Sequence, residues 1–172
     1  MNPVAWTSFL IRRELRGFAR EIELFPDEVQ IWQTVPGVSN SAGTLALHVC
    51  GNLQHFVGAV LGGTAYVRDR PLEFSARGLP RAHLLAEIER TLEVVASVLP
   101  GLSEAVLAAP YPDVLGGLRP PTGLFLHHLS CHLSHHLGQA GYLRRMVTGD
   151  NRSSDTISME SLAEALPSPG SV

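Results

Sequence analysis

Residues 122–149 read TGLFLHHLSCHLSHHLGQAGYLRRMVTG, and the predicted fold and the predicted site meet in this stretch. A connection rich in Gly and Pro, residues 109–121, comes before it. Gly149 follows the last apolar residue, where a glycine commonly ends a helix. We therefore predict a long helix over Thr122–Val147 that carries many of the histidines of the chain.

Three further segments have helical periodicity and are closed by proline or glycine. They cover about residues 3–24, 40–61 and 80–98. Asn40 and Ser41 are good N-caps for the second of them. Four helices of comparable length and no strand-like alternation predict an all-α fold, a four-helix bundle over residues 1–150. The long second and third connections leave an up-down-down-up order open beside the simple meander.

Two segments fall outside these four helices. Residues 64–79 have no consistent period, and we interpret them as a long ordered loop whose Arg68, Asp69 and Arg70 would border the pocket. Residues 151–172 form a polar, then Pro- and Ser-rich C-terminal extension that we expect to be partly flexible. A short extra helix around Ser158–Ala165 is predicted within it.

The bulk composition excludes several classes of protein. The chain has 172 residues, 45% of them hydrophobic and 17% charged, as in a single globular domain. The net charge is −3 and every basic residue other than histidine is Arg, with no basic run, so we expect no nucleic-acid partner. No uninterrupted apolar stretch approaches the roughly 18–20 residues that span a bilayer, and the N-terminus lacks the order of a secretory signal. We expect a cytoplasmic protein without a membrane partner.

The histidines carry the strongest functional signal. Five of the eight lie within ten residues of the fourth helix: His127, His128, His132, His135 and His136. At about 100° per residue, His132 and His136 stand ~40° apart and one turn apart on the same face. Such an HxxxH pair supplies two imidazoles to a Zn-type ion. His128 and His135 border that face, and His127 points away from it.

A third ligand would have to come from another helix, and His48 is the candidate. It lies in an apolar run of the second helix, where a buried histidine needs a polar partner. Asn52 and His55 share the face of His48, and Gln139 shares the face of the HxxxH pair. The candidates for residues that surround the metal or line the pocket are therefore Asn52, His55, His128, His135 and Gln139. Three histidines that leave one position open are typical of a catalytic metal site. The alternative for the HxxxH pair is chance spacing or core packing, and for His55 a role in bundle packing.

Three stretches of this sequence resemble a known family. They are VPGVSNSAGTLALHVCGNL at 35–53, RDRPLEF at 68–74, and HLSHHLGQ at 132–139 followed by YLRR at 142–145. In order and spacing they are similar to the DinB/YfiT-like superfamily of bacterial four-helix proteins, and the resemblance covers the chain from the first helix to about Gly149.

The resemblance implies a bundle that is not a simple meander, often a homodimer, with a three-histidine site for zinc or nickel that falls here on His48, His132 and His136. Some relatives resemble transferases that join a low-molecular-weight thiol such as bacillithiol to an electrophile. Our leading hypothesis is therefore a metal-dependent transferase that acts on such a thiol and a small-molecule substrate.

Two other functions remain open at this stage. One is a hydrolase that uses metal-bound water, with His128, His135 or His55 as base. The other is a non-catalytic metal-binding module that serves in dimerisation or binding. A di-iron ferritin-like site is excluded, because neither His132 nor His136 has an acidic residue three positions before it.

Overall fold

The protein is all-α, as its sequence predicts. A computed structural model describes residues 3–165, and within that range no strand is present beyond two isolated bridges. The helices are α1 (Pro3–Glu23), α2 (Ala42–Leu53), α3 (Arg70–Ser75), α4 (Arg81–Val98), α5 (Glu104–Ala108) and α6 (Thr122–Thr148). The long helices α1, α2, α4 and α6 correspond to the four predicted segments.

The four long helices form a bundle whose neighbours are not consecutive in the chain. Helix α1 packs between α4 and α6, and α2 packs between the same two helices from the other side. Helices α1 and α2 therefore lie on a diagonal of the bundle, so the simple meander is excluded. The core between them is built from aliphatic side chains and Phe, with Ile11, Phe18, Leu53, Ile88 and Leu133 among the members that are almost fully buried.

Helix α2 begins at a side-chain cap and changes its winding halfway along. The Ser41 hydroxyl accepts a hydrogen bond from the Thr44 amide at 3.1 Å, which satisfies one of the free donors of the first turn. After Leu53 the helix continues as a π-helical segment, Gln54–Leu61. Such wide turns are rare and are frequent at functional sites. The sequence predicted one continuous helix here, because apolar periodicity does not distinguish the two kinds of winding.

Helix α6 ends where the sequence places its stop. Gly149 has φ +71°, a left-handed conformation that favours glycine, and its amide donates to the Arg145 carbonyl at 2.9 Å. Five residues earlier, Arg144 is fully buried and donates to Glu21 of α1 at 2.6 Å. The same guanidinium also donates to the backbone carbonyls of Asp150 and Arg152. This ion pair therefore ties the start of the C-terminal extension to both helices.

The prediction of a loop over residues 64–79 was wrong in part, because α3 lies inside it. Asp69 caps this helix by accepting from the Leu72 amide at 2.9 Å, and Pro71 occupies the first turn, where a missing N–H costs nothing. Six residues are too few to show a helical period in sequence. Glu73 on α3 and Arg68, just before it, both turn inward toward α2.

The C-terminal extension packs on the bundle as far as the structure describes it. Ser154 is buried, and Thr156 lies so close to Gly17 of α1 that a Cβ on that glycine would meet its side chain. The predicted short helix appears as a 3₁₀ helix, Glu160–Ala165. The prediction of partial flexibility concerns mainly residues 166–172, which lie outside the described residues.

One stretch of the fold has the length and composition of a membrane span. This stretch is Ala42–Leu61, with mean hydropathy 1.2, and 67% of it is buried inside the bundle. Burial of this kind is what a core helix of a bundle requires, since its apolar side chains already face other helices.

Candidate metal centre

Three histidine side chains from α2 and α6 meet at one point. The Nε2 atom of His132 lies 3.2 Å from Nε2 of His48 and 3.1 Å from Nε2 of His136. His132 and His136 stand one turn apart on α6, and His48 reaches them from α2, 84 positions earlier in the chain. Within residues 3–165 this is the group of His, Cys, Asp and Glu side chains whose donor atoms lie close enough to share a metal ion.

The far nitrogens of the two outer rings are held by acceptors. His48 Nδ1–H donates to the Glu73 carboxylate at 2.9 Å, and His136 Nδ1–H donates to Gln139 Oε1 at 2.7 Å. The amide nitrogen of Gln139 in turn donates to Nε2 of His135 at 2.9 Å. A proton held on Nδ1 leaves Nε2 as a bare lone pair, so both outer rings present their lone pairs toward His132.

The carboxylate of Glu73 is itself anchored from two sides. Arg68 donates to both of its oxygens, from Nε at 2.7 Å and from a terminal nitrogen at 2.9 Å. The backbone of α2 approaches it at Gly51, where an added Cβ would lie 2.2 Å from Glu73 Oε1. Glu73, which belongs to the sequence motif RDRPLEF, thus orients His48. Sequence reasoning did not select it, although an acidic residue in a family-like motif was an available signal.

Burial keeps the central imidazole neutral. Burial, and after it the neighbouring His136, His48 and His128, lower the pKa of His132 to about 4. The pKa of His136 is also lowered, chiefly by burial. Burial raises the pKa of the Glu73 carboxyl, but the hydrogen bonds from His48 and Arg68 outweigh it and hold the pKa below its usual value. At neutral pH the imidazoles of His132 and His136 are therefore neutral, and the Glu73 carboxylate is ionised.

Aromatic rings and an arginine enclose the cluster. Phe74 of α3 lies against His48, with ring centroids 4.8 Å apart, and His128 stacks on His132 at 6.3 Å. The guanidinium of Arg68 lies over the Phe56 ring, 5.6 Å from its centroid. These contacts hold the planes of the imidazoles in place.

A family model covers most of this chain, including the three histidines. The model of the DinB superfamily matches residues 10–140. The chain belongs to the DinB superfamily. Searches of curated proteins and of solved structures found no match.

The donor set of this DinB-superfamily chain fits a divalent ion. Ligand nitrogens at about 2.0–2.1 Å from an ion in near-tetrahedral geometry lie about 3.3 Å from each other. The spacings of 3.1 and 3.2 Å from His132 Nε2 to the other two rings are close to that value, and the donor atoms of all three histidines lie within 4.8 Å of one another. Neutral imidazoles suit zinc and nickel, and the acceptors behind His48 and His136 are the usual partners of metal-bound histidines.

The remaining candidates take different places around this DinB-like cluster. Gln139, His135 and His128 lie beside it, through the hydrogen bonds and the stacking described above. Asn52 is buried on α2 one turn from His48. His55 packs on Phe56, with ring centroids 4.8 Å apart, and no contact joins it to the three histidines among the described residues.

Neither cysteine belongs to the cluster. Cys50 is buried, and burial raises the pKa of its thiol to about 12, so it is inert at neutral pH. Cys131 is exposed on α6 and is one position from His132. Successive helical residues point about 100° apart, so the two side chains diverge.

Proposed function

We propose that this protein is a metal-dependent transferase that joins a low-molecular-weight thiol, such as bacillithiol, to a small electrophile, with zinc or nickel held by His48, His132 and His136. The observation that carries the proposal is the convergence of these three imidazole nitrogens, with no carboxylate or thiol of residues 3–165 placed to complete the set. Three protein ligands leave a position for a substrate, whereas structural sites normally fill all four from protein.

A divalent ion in this position would supply a site at which a thiol loses its proton near neutral pH. The residues of the chain prepare that site. Glu73 keeps a proton on Nδ1 of His48, and Gln139 does the same for His136, so their Nε2 lone pairs stay directed inward. Arg68 keeps Glu73 ionised and in place.

The transfer also needs a proton acceptor and room for the electrophile. His128 is an exposed imidazole stacked on His132, which suits it to receive the thiol proton and pass it to solvent. A cavity of about 330 Å³ lies beside Gln139, with Val38, Tyr142 and Met146 in its wall. Its apolar side chains suit the carbon skeleton of a small electrophile.

The balance of the reaction is simple. A sulfur–carbon bond forms, the bond from that carbon to its leaving group breaks, and the leaving group departs with the electron pair. The thiol proton goes to His128 and then to water or to the leaving group. No external oxidant or reductant is required.

The test is thiol conjugation by protein loaded with zinc or with nickel. We expect a thiol–electrophile adduct, detected by mass spectrometry, when the protein is incubated with a haloalkane or haloarene and a panel of thiols that includes bacillithiol. The His132→Ala variant should lose this activity, and His127→Ala, on the same helix but hydrogen-bonded to the Gly123 carbonyl, should keep it.

Two results would contradict the transferase. Ester cleavage without any thiol would indicate a metal-dependent hydrolase instead. Stoichiometric metal with neither thiol binding nor turnover would indicate a non-catalytic module.

We further propose that the protein is a homodimer, as the resemblance implies, and light scattering on the purified protein tests this independently.

A further inference from the structure

Asn52 carries a polar atom that the protein leaves without a partner. Its side-chain amide oxygen is buried, and nothing in the described part of the chain donates a hydrogen bond to it. The residue as a whole is only 8% exposed. A buried acceptor without a donor loses its hydrogen bonds to water and destabilises the folded state, so most such oxygens in proteins find a partner.

The position of Asn52 along α2 places it beside the three-histidine cluster. His48 contacts the rings of His132 and His136, with centroids 5.1 and 5.2 Å apart, and two turns later Phe56 contacts Phe125 at 5.2 Å. The chain from His48 to Phe56 therefore runs antiparallel to α6. Asn52 lies halfway, opposite the turn of α6 that carries His128 and His132.

The distance from the cluster is that of a small ligand. Asn52 is four residues after His48, which is about 6 Å along the helix axis and ~40° around it. Three covalent bonds and one hydrogen bond span about 6 Å. A ligand whose sulfur lies at the histidines thus reaches Asn52 with a donor placed three bonds from that sulfur.

The donors around Asn52 are engaged elsewhere in this structure. The guanidinium of Arg68, which contacts both His48 and Phe56, donates to the two oxygens of Glu73. The π-helical segment Gln54–Leu61 begins two residues later and brings the apolar ring of Phe56 to the same side. The side chain of Gln54, the nearest further amide in sequence, is engaged with Glu87 and Thr91 of α4.

We propose that Asn52 is the specificity-determining residue of the site and selects thiols that carry an N–H group three bonds from the sulfur, the position of the α-nitrogen in a cysteine derivative. The inference rests on the proposed thiol transferase and names its substrate class. The amide oxygen accepts the N–H of the bound thiol, and this contact satisfies the buried acceptor. A thiol without that N–H leaves the acceptor unpaired and binds more weakly.

A matched pair of thiols tests the contact. N-Acetylcysteamine has an amide N–H three bonds from sulfur, and 2-mercaptoethyl acetate has an ester oxygen in its place with nearly the same shape. Binding of each is measured by calorimetry to the cobalt-loaded protein, for wild type, Asn52→Leu and Asn52→Asp. Metal content and the thermal midpoint of the metal-free protein are measured for all three.

We expect wild type to bind the amide at least tenfold more tightly than the ester. Asn52→Asp, which retains an acceptor oxygen, should keep a preference, and Asn52→Leu should bind the two thiols equally while it holds as much metal as wild type. The metal-free Asn52→Leu protein should melt at or above the wild-type temperature, because an apolar isostere removes an unsatisfied acceptor.

Equal binding of the two thiols by wild type would overturn the inference, and so would an unchanged preference in Asn52→Leu. If neither thiol binds a wild-type protein that holds stoichiometric metal, the transferase proposal itself fails. The melting temperature then decides the status of Asn52: a lower value for Asn52→Leu means that the amide is structural and overturns the inference, and an equal or higher value supports a ligand-facing acceptor.

Discussion

The Nδ1 atom of His48 lies 2.9 Å from the carboxylate of Glu73, and this pair joins a histidine of α2 to the segment between α2 and α4. The contact fixes the proton on Nδ1 and turns Nε2 toward α6. Carboxylate partners of this kind increase the basicity of a metal-bound imidazole and hold its ring plane. The site is therefore built from three elements of the chain, and the predictions below separate their contributions.

Loss of one central histidine should abolish metal retention. In His132→Ala, the two remaining imidazoles no longer share a common neighbour within ligand distance, so metal content should fall from about one ion per chain to background. Elemental mass spectrometry on untagged protein measures this. His127→Ala, whose ring is bonded to the Gly123 carbonyl on the outside of α6, should retain its metal. Full occupancy in His132→Ala would refute the assignment of the ligands.

Neutralising Glu73 should weaken metal binding without removing it. Glu73→Gln keeps an acceptor for His48 but loses the negative charge and leaves Arg68 without an ionic partner. We expect metal affinity to fall roughly 10–100-fold, which is the usual loss when a residue that hydrogen-bonds to a metal-bound histidine is replaced. Competition with a chromophoric chelator measures the affinity. Glu93→Gln, an exposed change on α4, should behave as wild type, and an equal loss in both variants would contradict the role of Glu73.

A methyl group on Gly51 should act on the site through Glu73. Because the added Cβ would lie 2.2 Å from the Glu73 carboxylate, Gly51→Ala must displace that side chain and with it the anchor of His48. We expect weaker metal binding and a loss of about 1–3 kcal/mol in the free energy of unfolding.

Gly138→Ala is the matched control for that change. Apart from its chain neighbours and the backbone of its own helix, nothing lies within 4 Å of a Cβ at this position, and the residue is exposed in the interior of α6. Alanine should therefore stabilise the helix by up to about 1 kcal/mol and leave metal binding unchanged. Urea unfolding and chelator competition measure both quantities. Unaltered metal affinity in Gly51→Ala would show that Glu73 does not depend on this close approach.

The metal-free protein should lose stability as pH falls. His132 has a pKa of about 4 when folded and near 6.5 when unfolded, so the unfolded chain binds more protons between these values. The free energy of unfolding should therefore decrease as pH is lowered from about 6.5 to 4, and Glu73, with its lowered pKa, adds to the loss near the acid end. Urea midpoints across this range measure it. His132→Phe, which does not titrate, should show a shallower dependence, and an identical slope would contradict the assignment.

The sequence by itself determined the four long helices and the relative placement of two of the three histidines of the site. Apolar periodicity and the glycine or proline that closes each helix are local signals, because a helix satisfies its backbone within a few residues. The spacing of His132 and His136 likewise places both rings on one face of α6 without reference to the rest of the fold. The apolar run around His48 and the family resemblance made it a candidate ligand. Neither of them gave its distance from α6.

Only the tertiary structure decided which groups surround those rings. Glu73 lies in a helix of six residues, too short for a period, and it becomes a partner of His48 only because α3 packs against α2 at Gly51. The diagonal placement of α1 and α2, and the unpaired oxygen of Asn52, depend in the same way on contacts between distant segments. Hydrogen bonds between side chains form across space rather than along the chain, so the three-dimensional arrangement alone assigns donors to acceptors.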